Sequence, residues 1–175
     1  MARYILSSRT LLDIIQHKGL SGEQWLRNIS NRPDVQEGDI CLSAVTPMNV
    51  ERQLDKMVLA LRAGEECGGF TLNDCATLQA NLTRFVASLE KSERIVPISC
   101  AIARKWGVLM DQRIEFIDQE NQTYDIGSAQ KLEIATAIIG RNRITYKYVE
   151  RKQPGFDGIS DLSWEDPGLP VRQSA

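Results

Sequence analysis

Hydrophobic positions along the chain change their period repeatedly. Tyr4-Ile5-Leu6 is a short continuous apolar run, the pattern of a buried strand. Ser7-Ser8-Arg9 reads as a turn, and Leu11, Leu12, Ile14 and Ile15 then predict a helix over Thr10–Gln16, ended near Gly19. Ser21 with Gln24 has capping-box spacing and opens a second helix carrying Trp25, Leu26 and Ile29. Asn31–Asp34 is a loop by composition, and Asp39–Val45 predicts a second strand. Pro47 suits the first turn of a third helix, with Val50, Leu54, Met57, Val58 and Leu61 on its inner face. Gly64–Gly69 interrupts it. Thr71 caps a fourth helix with Leu72, Leu78, Leu82, Phe85, Val86 and Leu89 inward, forming a helical hairpin with the third.

Arg94–Ile98 predicts a third strand, and Ser99 a helix with Ile102, Trp106, Leu109 and Met110 along one side. Gln119–Tyr124 reads as loop, Asp125–Ile139 as a strongly apolar helix ended by Gly140, and Arg143–Val149 as a strand. A turn at Gln153–Gly155 and an edge strand within Ile159–Trp164 follow. Strands separated by helices imply parallel pairing. The expected fold class is α/β: a three-layer sandwich with a mainly parallel sheet of four to five strands and helices on both faces. The domain spans 1–164, with a loose tail over 165–175.

Composition narrows the classes. With 175 residues, 42% hydrophobic and 25% charged, the chain suits one globular domain. A net charge of -2 does not mark a strongly basic nucleic-acid binder. No apolar run approaches the roughly 18 residues that read as a membrane span, and no signal-peptide pattern opens the chain, so a cytoplasmic location and no membrane partner are expected. Cys41, Cys67, Cys75 and Cys100 form no CxxC pair and read as reduced, mostly buried thiols. One histidine, His17, argues against a Ser-His-Asp or Cys-His centre. Its place at a helix end suits contact with the last carbonyls.

Four stretches resemble a known family. Tyr4-Ile5-Leu6-Ser7-Ser8-Arg9-Thr10-Leu11 is similar to Tyr-Leu-Leu-Asp-Thr-Asn-Val-Leu. Leu42 to Val50 is similar to Leu-Ser-Val-Ile-Thr-Leu-Gly-Glu-Leu, Ala101 to Gly107 to an Ala-Arg-rich Trp-Gly helix, and Gln130 to Ala137 to Asp-Ala-Leu-Ile-Ala-Ala-Thr-Ala. In this order and spacing they resemble the PIN domains, and among them the VapC/FitB-like toxins of bacterial toxin–antitoxin pairs. The resemblance implies a PIN-like fold, a Mg²⁺-dependent ribonuclease ancestry, a homodimer and an antitoxin-like protein partner. Hard carboxylate oxygens are what such a Mg²⁺ site requires.

The positions that match the family acids are not acids. They are Ser7, Asn49 and Gln130, with the fourth falling at Arg151 or Gly155. Arg9 and Lys131 stand beside two of them, and a unit charge about 4 Å away at an effective dielectric near 20 is worth on the order of 4 kcal/mol. The expectation is loss of the family Mg²⁺, no catalytic residue, and no cofactor. Ser7, Ser8, Arg9, Asn49, Gln130 and Lys131 become candidates for a neutral-to-basic binding pocket. The remaining acids Asp13, Glu51, Asp125, Glu133, Glu150 and Asp157 read as solvated surface, with Asp125 complementing a helix N-terminus. Trp25 and Trp106 are candidates for a partner surface. Three functions stay open: an inactive homologue that binds protein or nucleic acid, a metal-independent binder of RNA, DNA or a nucleotide through the altered pocket, and a residual ribonuclease with a non-standard site.

Overall fold

In the computed structural model, the described residues are 3–168 except 34, 118–120, 142–143 and 145. Strand β1 (Tyr4–Leu6) leads into α1 (Ser8–Gln16) and α2 (Ser21–Ser30). A 3-10 turn at Glu37–Asp39 then feeds β2 (Ile40–Ser43), followed by α3 (Val45–Arg62), α4 (Leu72–Lys91) and β3 (Ile95–Val96). The second half runs through α5 (Cys100–Met110), β4 (Glu115–Ile117), β5 (Thr123–Asp125), α6 (Ser128–Ile139) and β6 (Lys147–Val149). A 3-10 turn at Pro154–Gly158 precedes β7 (Ser163–Glu165).

The main sheet has the order β3-β2-β1-β6-β7 and every pairing in it is parallel. Tyr4, Ile5 and Leu6 are all fully buried, because helices cover both faces and leave no solvated side for alternation. Period-2 geometry divides them. Tyr4 and Leu6 join Leu11, Ile14, Trp25, Val50, Leu54, Leu78 and Leu82 under α1–α4. Ile5 joins Ile102, Leu109, Phe116, Ile134, Ala135, Tyr148 and Phe156 under α5, α6 and the hairpin β4–β5. The α/β three-layer expectation therefore holds, with a five-stranded sheet.

The chain boundaries depart from the sequence reading for local reasons. Ser7 alone makes the first turn: its Oγ accepts from the Thr10 amide at 3.0 Å, so α1 begins at Ser8. Ser21 does not cap α2; Leu20 holds that position, while the Ser21 hydroxyl donates to Asp13. Glu23 instead takes the Gly19 amide at 2.7 Å, and Gln24 donates to the Gly19 carbonyl. His17 adopts a left-handed conformation at the end of α1 and turns its ring toward Glu23 rather than the carbonyls. Thr71 caps α4 through a capping box with Asp74. Leu72 and Met110 are exposed, not core. Of the cysteines, all four are free thiols, Cys41 and Cys75 buried and Cys100 exposed.

The segment expected as loop followed by helix is different. Thr123–Asp125 pairs antiparallel with Glu115–Ile117; residues 119 and 120 lie outside the described set. Its polar, exposed strand carries no apolar alternation, and Asp125 accepts the Ile114 amide instead of capping α6. Of the strand expected over 143–149, positions 143 and 145 lie outside the described residues. Residues 165–168, expected within the tail, are held against the domain. Glu165 closes β7, and its carboxylate accepts from the Trp25 indole at 2.7 Å. Asp166 accepts from the Lys152 and Gly168 amides, whereas 169–175 lie outside the described residues. Trp25 is thereby core, packed edge-on against Tyr4 at 5.4 Å, and offers no partner surface. Trp106 is half-buried, its indole donating to the Ser128 carbonyl. No helix among the described residues is long and apolar enough to cross a membrane.

Gly140 ends α6 at a φ of 64°, and a Cβ there would overlap the Ile144 carbonyl. Both conformation and space require glycine. Gly140→Ala should lower unfolding free energy by about 2–4 kcal/mol, measured by urea denaturation against the unsubstituted chain.

Candidate functional site

The strand order places a switch point beside β1: the chain moves through β2 and β3 on one side and places β6 and β7 on the other. In open α/β sheets the crevice at such a point, outside the carboxyl ends of the strands, is where ligands bind. Leu6 lies opposite Val149, and the Ser7 amide donates to the Val149 carbonyl at 3.2 Å. That register brings Ser7 and Glu150 side by side at the two strand exits. A cleft of about 320 Å³ opens there, lined by Ser8, Arg9, Gln53, Gln130, Glu133 and Glu150, among others.

Glu133 and Glu150 are buried in this cleft, not solvated surface. Glu133 projects from the third residue after Gln130, one helical turn later on a similar face. Its neighbours in sequence, Leu132, Ile134 and Ala135, carry α6 into the core, so the carboxylate goes inward with them. It is met from three elements. Ser8 donates to it through both its amide, at 3.2 Å, and its hydroxyl. Tyr148 donates its phenol at 3.0 Å, and the Asn49 amide group donates at 3.5 Å. Asn49 also donates to the Ser8 hydroxyl at 2.7 Å. A carboxylate offers about four lone-pair directions. Both oxygens of Glu133 receive two of these contacts, so its acceptor capacity is filled by the protein.

Burial pushes the Glu133 carboxyl above its ordinary value of 4.5, against the opposing pull of Ser8, Tyr148 and Asn49. Glu150 is pushed from 4.5 up to about 7 by burial, opposed by the Ser7 hydroxyl, the Arg9 guanidinium and the Arg151 amide, and reinforced by the charge on Glu133. Burial, followed by the two nearby glutamates, holds the Tyr148 phenol well above its usual value of 10. The cleft therefore contains one saturated carboxylate and one group that changes charge near neutrality, a profile associated with ligand sites.

Most of the sequence-derived pocket converges. Ser8, Arg9 and Gln130 line the cleft, Asn49 braces it, and Ser7 caps α1 at its floor. Lys131 does not belong to it. One residue further round the helix, its ammonium is buried and donates to the carbonyl of Gln112 at 2.6 Å and of Met110 at 3.5 Å, with Asp125 at 3.6 Å. It caps the carboxyl end of α5. Neither Arg151, which is exposed and faces Asp13 at 4.0 Å, nor Gly155, which sits tightly against Glu115, lines the cleft. Glu150 takes the strand exit one residue earlier. Glu51 and Asp157 are exposed, Glu51 on the far side of its helix from Asn49. Among the described residues, no group of three or more His, Cys, Asp or Glu side chains is gathered to hold a metal. Tyr148 and Tyr124 carried no signal in the sequence, and Glu133 and Glu150, expected as solvated surface, belong to the cleft; a lone glutamate inside the apolar run of α6 was the available signal.

No protein-family model matches the chain, and no curated protein matches it.

Two outcomes follow from this geometry. Glu133→Ala leaves several buried donors unpaired and should lower stability by about 2–4 kcal/mol, read by urea unfolding at pH 7. Glu150 binds more protons folded than unfolded between pH 4.5 and about 7. Its contribution is therefore fully present below pH 4.5 and is lost as the pH rises through 7. The stability difference between the unsubstituted chain and Glu150→Gln should shift by about 3 kcal/mol across that window, against the former at high pH.

Proposed function

We propose that this chain is a PIN-like, VapC-like homologue that acts by binding and carries out no metal-dependent nuclease chemistry. The closure of Glu133 supports this reading most directly. A Mg²⁺ ligand must turn a free lone pair toward the ion, and this carboxylate spends its own on Ser8, Tyr148 and Asn49. Glu150, the second acid of the cleft, is partly neutral near pH 7 and stands near the positive charge of Arg9. The remaining positions of the implied acid set, Ser7, Asn49 and Gln130, are neutral. This donor set does not fit a divalent cation, so the family Mg²⁺ has no place in the proposed mechanism.

What the cleft retains is suited to recognition. Arg9 offers a charge for a phosphate, Gln53 and Gln130 offer amides, and Tyr124, 38% exposed, offers a ring for stacking. These residues favour a second reading, in which RNA, DNA or a nucleotide is bound in the cleft without a metal. A homodimer and an antitoxin-like protein partner rest on the family resemblance and belong to the same proposal.

Calorimetric titration with Mn²⁺ and Mg²⁺ tests it. No saturable binding is expected, and none of the RNA cleavage by highly purified protein should depend on added metal. Saturable binding that disappears in Gln130→Ala or Glu150→Gln would overturn the reading and restore the residual-ribonuclease alternative. Ser7→Asp, Asn49→Glu and Gln130→Asp combined should introduce metal binding where the unsubstituted chain has none. Gel retardation of short RNA and of duplex DNA, lost in Arg9→Gln, would support recognition through the cleft.

A further inference from the structure

None of the four cysteines lines the cleft, and two of them meet at the turn of the helical hairpin. Cys75 is fully buried in the first turns of α4. It shares the buried face of that helix with Leu78 and Leu82, at three- and seven-residue spacing. That face enters the core beside Leu54 and Met57 of α3. Cys67 is half-buried in the connection between the two helices.

The connection folds back so that both thiols face one seam. The Cys67 thiol donates to the Met57 carbonyl of α3 at 3.9 Å. The Cys67 carbonyl accepts the Phe70 amide at 3.0 Å, which closes a tight turn and holds its ends within about 7 Å. Thr71 then caps α4 and accepts the Cys75 amide at 3.1 Å. One tight turn and one helical turn therefore separate the two cysteines. Burial, then the Asp74 carboxylate, then the charge of a Cys67 thiolate raise the Cys75 thiol above its ordinary value, so each sulfur lies within the other's field. The backbone beside Cys67 has room to adjust: Gly68 and Gly69 hold φ values of 55° and 78°, and a Cβ at either would meet nothing within 4 Å.

We propose that Cys67 and Cys75 are a redox-responsive pair, which closes to a disulfide when the chain meets a disulfide oxidant such as oxidised glutathione. Cys67, the more accessible thiol, attacks first as its thiolate. Its sulfur bonds to one sulfur of the oxidant, the oxidant's own S–S bond breaks, and one glutathione thiolate leaves. Cys75, deprotonated in turn, then attacks the Cys67 sulfur, and the second glutathione thiolate leaves. One disulfide forms for one reduced, and the two cysteine protons end on the two glutathiones. The product ties the connection to the first turns of α4. This pair lies apart from the cleft and does not depend on what the cleft binds.

The test equilibrates the full chain, native and folded, with glutathione buffers of increasing oxidised fraction. Exposed Cys100 is replaced in a Cys100→Ser background, so that its own mixed disulfide does not obscure the result. After acid quenching and alkylation of the remaining thiols, intact mass should show the loss of two hydrogens, about 2 Da, with Cys41 alone alkylated. Proteolysis after Asp74 separates Cys67 from Cys75 in sequence, and the two fragments should stay joined until a reductant is added. Cys67→Ser should lose the linkage and leave Cys75 alkylated. Cys75→Ala should instead accumulate glutathione on Cys67. If Cys75→Ala unfolds, Cys67→Ser, at a half-buried position in the connection, decides. Glutathione retained on Cys67 while Cys75 remains free to alkylate overturns the proposal. So does linkage of either residue to Cys41, or a pair that stays reduced with oxidised glutathione in large excess.

Discussion

A carboxylate sealed inside a protein must find its partners there, because unpaired burial of a charge costs several kcal/mol. Glu133 meets this constraint by drawing on α1 through Ser8, α3 through Asn49 and β6 through Tyr148. Those contacts join both sides of the sheet: α1 and α3 pack over one face, while α6 and the ring of Tyr148 belong to the other. The hydrogen bonds that satisfy one side chain therefore also set the spacing of the helices around the cleft.

The same constraint separates the chemistry of two nearby acids. Glu133, surrounded by donors, is a positioning group whose acceptor capacity is spent. Glu150 stands at the exit of β6 with fewer donors, beside Ser7 and Arg9, and burial lifts it into the neutral range. Burial raises both carboxyl groups, and their surroundings differ in how far the acceptor capacity of each is filled. A cation-binding centre would need both to face inward and stay ionised.

Charge is distributed by topology as well. Parallel strands bring their exits to one end and their entries to the other, so the chain acquires two unlike polar regions without any change in its overall charge of -2. The exits carry buried acids braced by hydroxyls and an amide. The entries carry arginines: Arg3 pairs with Asp39, Arg94 donates to the Ser92 hydroxyl among its contacts, and Arg141 to the Glu93 carbonyl. Lys131 shows how local geometry overrides sequence adjacency: it follows Gln130 directly, yet leaves the cleft to satisfy carbonyls at the end of α5.

The α/β class, the helical hairpin, the caps at Thr71 and Ser99 and the stop at Gly140 were legible in the sequence, because each depends on spacing or on one residue's backbone preference. The β4–β5 hairpin was not, since polar strands exposed to water carry no apolar period. Ser7, Ser8, Arg9, Asn49 and Gln130 could be picked out by pattern, although their partners could not. By itself the sequence determined that neutral residues occupy the places where the resemblance implies acids. Tertiary structure alone decided that Glu133 and Glu150 fill that space from elsewhere, because burial and strand register are properties of distant segments brought together, and no local window contains them.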